Sequence, residues 1–165
     1  MAALAKGAKA PEFELKTLDG KRLSLSHELA RGAVVLVFFK VSCPTCQYAL
    51  PFLERLYKAY GAKGISLVGV SQNDARETAA FIKEFGITFP VLLDDTRSYP
   101  VSNVYGLTNV PTIFWVAQDG EIEVSSVGWV KAEFEEINRK MAEAGKTAPA
   151  VVFKRGEDVR DFRAG

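Results

Sequence analysis

The chain has 165 residues, a formal net charge of +1 at neutral pH, 48% apolar residues and 25% charged ones. That length suits one domain with its own core, and the balanced charge leaves no electrostatic footprint for nucleic acid or an anionic membrane. No apolar run approaches the ~20 residues of a membrane span, and Met1–Lys9 lacks the continuous apolar segment of a secretory signal. The expected location is therefore cytoplasmic, or periplasmic if the sequence given lacks a native signal.

Residues 1–10 are small and charged and read as a flexible lead-in to a domain over 11–147, with a tail over 148–165. Phe13, Leu15 and Thr17, the turn Leu18-Asp19-Gly20-Lys21, then Leu23 and Leu25 predict a short hairpin. Ser26 is the candidate cap of a short helix ending near Gly32. Ala33–Phe39 is apolar without alternation, the pattern of a strand buried on both faces. Pro44 to about Tyr60 reads as a helix stopped by Gly61, with Leu50, Leu53, Leu56, Tyr57 and Tyr60 at helical spacing and a kink expected at Pro51. Ile65–Val70 is a second buried strand. Asp74 and Glu77 have capping-box spacing for a helix through Phe81, Ile82 and Phe85 that Gly86 closes. Phe89–Leu93 is extended, and Ser98–Tyr105 forms a short helix. Thr112–Ala117 and Ile122–Val127 flank a turn at 118–121, and Phe134, Ile137 and Met141 mark a last amphipathic helix ending at Gly145. This order predicts an α/β fold, a mixed central sheet flanked by helices. In the tail, Val151, Val152 and Phe153 are able to dock on the body, and a free tail is the alternative.

The only two cysteines are Cys43 and Cys46, in the run Cys43-Pro44-Thr45-Cys46 directly after the buried strand. Two cysteines are too few for a disulfide framework, and scattered thiols are commonly inert small hydrophobes. Here, however, Cys43 falls at the N-cap and Cys46 in the first turn, with Pro44 at the first helical position. Unpaired backbone N–H groups and the helix dipole both favour a thiolate at that end. Cys43 is thus the candidate attacking thiol and Cys46 the resolving one, with Pro44 and Thr45 tuning the pair. Val110-Pro111-Thr112, just before a strand, is by itself no more than a proline opening an edge strand.

Taken together, these residues resemble the thioredoxin-like superfamily, in particular TlpA/ResA-like thiol–disulfide oxidoreductases and the AhpC/TSA-related redoxins. The likeness spans roughly Pro11–Gly145. It rests on Ala-Pro-Glu-Phe-Glu-Leu, Val-Phe-Phe-Lys-Val-Ser-Cys-Pro-Thr-Cys, Pro51, Leu-Val-Gly-Val-Ser at 67–71 and Tyr-Gly-Leu-Thr-Asn-Val-Pro-Thr at 105–112. The resemblance implies a thioredoxin-like fold with an N-terminal hairpin and a βα insertion within 64–93. It also implies a cis Val110–Pro111 peptide beside the cysteines, with Val110 backbone groups pairing with a substrate chain. The implied activity is dithiol/disulfide exchange as a reductant of a protein disulfide, with an upstream thiol electron donor, in a monomer or weak dimer. No cofactor or metal is expected beyond the redox-active Cys43–Cys46 disulfide.

The chain also departs from the family pattern. Val37 stands where thioredoxins keep a buried acid, Ala49 where many TlpA/ResA-like proteins have Glu, Ser42 replaces a Trp, and Lys40 a small residue. The proton acceptor for Cys46 then falls to water or to a carboxylate such as Asp94 or Asp95. Lys40 either lowers the Cys43 pKa by its charge or is a solvated strand-end residue, and His27, the only histidine, reads as a surface helix residue. The alternative function is a peroxiredoxin-like thiol peroxidase with Cys43 as peroxidatic cysteine. Lys40 and Leu36 replace that family's Thr and Pro. A copper or other metal-binding module is a third reading, weakened by the absence of a Met-rich stretch.

Overall fold

The computed structural model of the protein describes residues 2–165. A hairpin of β1 (Glu14–Lys16) and β2 (Arg22–Ser24) leads into α1 (Leu25–Arg31). The cap of α1 is Ser24 rather than the expected Ser26: Ser24 Oγ accepts the His27 amide at 3.2 Å, while the Ser26 amide donates to Glu12. There follow β3 (Val34–Phe39), α2 (Pro44–Tyr60), β4 (Ser66–Ser71), α3 (Ala75–Phe85) and β5 (Val91–Leu93). The chain then forms α4 (Pro100–Val104), β6 (Thr112–Val116), β7 (Ile122–Val127), β8 (Trp129–Val130), α5 (Lys131–Ala144) and β9 (Phe162–Arg163).

Five strands make one mixed sheet in the order β5-β4-β3-β6-β7, with β3 parallel to β4 and antiparallel to β6. The unalternating sequence of β3 is explained by its central place: all of it is buried, and its side chains divide between two cores. Val35, Val37 and Phe39 pack with Leu50, Leu53 and Phe134 on one face. Val34, Leu36 and Phe38 pack with Leu25, Val101 and Phe114 on the other. The span 64–93 holds β4, α3 and β5, which build one edge of the sheet. Asp74 Oδ1 accepts the Glu77 amide at 2.8 Å, as the spacing predicted for the start of α3. α2 runs through Pro51 as a single helix.

The start of the chain differs from expectation, and the tail takes the docked one of its two expected alternatives. Residues 4–10, read as a flexible lead-in, are stitched to the body: the Leu4 amide donates to Tyr105, Gly7 to Ile122 and Ala10 to Gly120, and the Ile122 amide donates to Ala8. Their small side chains give no periodic signal, and backbone pairing needs none. The tail is also docked rather than free. Val152 is buried, Phe153 packs edge-on against Phe52 at 5.4 Å between ring centres, and Val151 points out to solvent. Arg55 donates to both Glu157 oxygens at 2.7 and 2.8 Å and to the Val152 carbonyl at 2.7 Å. That two-pronged bond holds the Glu157 carboxyl at a pKa of about 2, since the guanidinium favours its charged form. No helix among the described residues is long and apolar enough to cross a membrane.

Candidate active site

β3 ends at Phe39, and four residues on, Cys43 caps α2 with its own side chain: Cys43 Sγ accepts the Cys46 amide at 3.1 Å. A β-region backbone at Cys43 and Pro44 at the first helical position set this turn. Both sulfurs are free thiols, Cys43 half-buried and Cys46 fully buried. Cys43 Sγ also lies 3.3 Å from the Val110 carbonyl, to which its S–H donates. The Val110–Pro111 peptide is cis. A loop 67 residues away in sequence is thus brought against the dithiol, because β6, which follows it, pairs with β3 in register Phe38 to Thr112.

The predicted residues fall into two groups. Cys43, Cys46, Thr45, Val110 and Pro111 converge, Thr45 and Pro111 being buried and Val110 half-buried. Pro44 and Lys40 are exposed. The Lys40 carbonyl accepts the Cys43 amide at 3.3 Å, and its side chain lines a cleft of about 240 Å³ with Gln72, Tyr99, Leu107 and Val110. His27 is exposed on α1.

Neither candidate carboxylate hydrogen-bonds Cys46. Asp94 is buried but accepts from the Val101 and Ser102 amides and the Ser102 hydroxyl, where it caps α4. Asp95 is paired with Arg97, whose side chain holds its carboxyl below the usual range. Val37 and Ala49, the positions at which the resemblance leads one to expect acids, are buried apolar residues of the same core as Cys46. Among the described residues, no carboxylate hydrogen-bonds either sulfur.

Burial therefore pushes the Cys46 thiol up, and its hydrogen bond with Cys43 pushes the same way, against a smaller opposing effect of the Lys40 backbone. A raised folded-state pKa favours the thiol. The stability it confers on the reduced protein is whole below the free-thiol value of about 8.5 and is lost as pH rises beyond it. In chemical denaturation the reduced protein is expected to weaken from that pH, while Cys46→Ser weakens only from about pH 10, where burial of the Tyr105 hydroxyl begins to count in both. Equal pH profiles for the two would contradict this.

One neighbour was not legible in the sequence. The end of the tail reaches the dithiol: Thr45 Oγ1 donates to the Ala164 carbonyl at 2.6 Å, and Asn109 Nδ2 lies 3.4 Å from the Gly165 carbonyl. β9 pairs antiparallel with β8, and Trp129 Nε1 donates to Arg160 at 2.7 Å. The available signal was the apolar Val152-Phe153 pair, which marks docking and not its destination.

Comparison with known proteins gives a consistent result. Residues 6–125 match the model of the AhpC/TSA family. The thiol-disulfide oxidoreductase ResA of Geobacillus thermodenitrificans is 30% identical over 132 residues, 79% of this chain and 74% of that protein. The ResA of Halalkalibacterium halodurans is 31% identical over 133 residues, with the same shares covered. Among solved structures, a putative thiol:disulfide interchange protein DsbE from Chlorobium tepidum superposes with a TM-score of 0.76 at 26% identity, over 87% of this chain and 99% of that one. A putative protein disulfide isomerase from Bacteroides thetaiotaomicron gives 0.80 at 23% identity, over 88% and 95%, a likeness of fold.

Proposed function

The chain belongs to the AhpC/TSA family and, within it, to the ResA-like thiol–disulfide oxidoreductases, and from that premise we propose that it reduces disulfides in protein substrates through Cys43 and Cys46. The observation that carries this reading is the half-exposed Cys43 sulfur at the start of α2, held between the Cys46 amide and the Val110 carbonyl above a buried second thiol.

The Cys43 thiolate attacks one sulfur of the substrate disulfide, forming a Cys43–substrate disulfide and releasing the other substrate sulfur as thiolate. Cys46, after giving up its proton, attacks Cys43 Sγ. The Cys43–Cys46 disulfide forms and the second substrate thiolate leaves. Two electrons pass from the dithiol to the substrate, and an external thiol reductant restores the dithiol. Water is the proton acceptor we assign to Cys46, since the acids at hand are committed elsewhere. The Val110 backbone offers a strip along which an extended substrate chain pairs, as in strand addition.

The test is insulin reduction by the protein with dithiothreitol as donor, together with a redox titration. A two-electron couple within about −270 to −120 mV, the span of such motifs, and catalysed reduction are expected. Turnover of hydrogen peroxide without insulin reduction would replace this reading with a peroxidase.

A further inference from the structure

Residues 162–165 lie on the strip where a substrate chain would pair. Beyond Asp161, whose carbonyl accepts the Lys131 amide at 2.9 Å, the chain pairs as β9 with β8 and continues past Thr45 to Val110. The fit is backbone against backbone. A Cβ at Gly128 would come within 2.7 Å of the Arg163 carbonyl, and one at Gly165 would run into the Val110 carbonyl. Gly128 has φ +76, a region side chains rarely adopt, so this surface is smooth where the tail crosses it.

Attachment is graded along the tail. Residues 150–161 are anchored by Val152, Phe153, the Arg55–Glu157 pair, and the Arg160 carbonyl and amide, which bond Trp129 Nε1 and the Tyr48 hydroxyl. Residues 162–165 hold by two-residue strand pairing, two side-chain hydrogen bonds and the Arg163 guanidinium 5.3 Å from the centre of the Tyr48 ring, and Phe162 is 63% exposed. Residues held this lightly beyond a firmly held base can separate from the body without unfolding the domain.

The geometry points to residues 162–165 as an internal stand-in for the substrate strand, a removable cover over the Val110–Thr45 docking strip that an incoming extended chain must displace. This inference rests on the docking role proposed for Val110, and it adds regulation to that site. Occupancy by the tail lowers the fraction of binding-competent protein and raises the apparent substrate constant by that factor. Two ordinary hydrogen bonds correspond to about tenfold.

Two variants of the full protein test it: Gly165→Val, whose side chain cannot sit against the Val110 carbonyl, and a stop codon after Asp161, which keeps every anchor. For both, kcat/KM for insulin is expected to rise about tenfold through a lower KM with kcat little changed. Unchanged or lower values in both would overturn the inference while leaving the oxidoreductase reading intact. A second readout does not depend on turnover. A cysteine peptide is loaded chemically onto Cys43 of a Cys46→Ser protein through an activated disulfide. Faster amide exchange at residues 162–165 on loading supports displacement, and unchanged exchange refutes it.

Discussion

Replacing Cys43 with serine is expected to remove disulfide reduction, by at least about 10³-fold in kcat, as for loss of other enzyme nucleophiles. The loss will be chemical, not structural. Serine is a favoured helix N-cap, and its hydroxyl can take the Cys46 amide that Cys43 Sγ now accepts at 3.1 Å. Cys43→Ser is therefore expected to unfold within about 1 kcal/mol of the parent.

Cys46→Ser separates the two thiols. It keeps the half-buried nucleophile and removes the fully buried group that resolves the mixed disulfide, so one equivalent of substrate is captured on Cys43 and turnover stops. Mass spectrometry of the trapped adduct, released by dithiothreitol, is the measurement. Full turnover by Cys43→Ser, or capture on Cys46 in that variant, would reverse the assigned roles.

The largest stability effect is expected at Trp129. Its ring is fully buried and meets Tyr48, Phe52 and Phe134 with centres 5.3, 5.1 and 5.0 Å away, while Nε1 donates to the Arg160 carbonyl. Trp129→Ala removes the packing of an aromatic cluster shared by α2, α5 and the tail, at a cost of about 3–5 kcal/mol. Trp129→Phe keeps a ring and forfeits the indole N–H, leaving the Arg160 carbonyl short of one donor at about 1 kcal/mol. Urea denaturation of the three proteins reads both. Equal midpoints for the alanine and phenylalanine variants would show that the hydrogen bond, and not the cluster, carries the effect.

The contrast between the two ends of the chain and its middle shows what was legible. The run Val34–Phe39 followed by Cys43-Pro44 specifies a buried strand, a cap and a helix start through nearest neighbours alone, and the structure has them there. Asp74 and Glu77 likewise start α3 locally. α1 starts two residues earlier than the cap at Ser26 would allow, and Glu12, fourteen residues back, accepts the Ser26 amide in its first turn, a contact no local pattern shows. Asp94 looked available for proton transfer, yet the fold spends it on the N-terminus of α4.

The sequence by itself determined the dithiol: its spacing, its place at a strand-to-helix junction, and the absence of acids at Val37 and Ala49. Those properties are local, set by the order of residues along a few turns of chain. The tertiary structure alone decided what stands around the dithiol. Packing of β6 against β3 carries Val110 to Cys43, and docking of the tail carries Ala164 to Thr45 across 119 positions of chain. Such contacts follow from backbone pairing and smooth glycine surfaces, which impose little pattern on side chains, so only the folded chain reveals a site that is partly covered by its own tail.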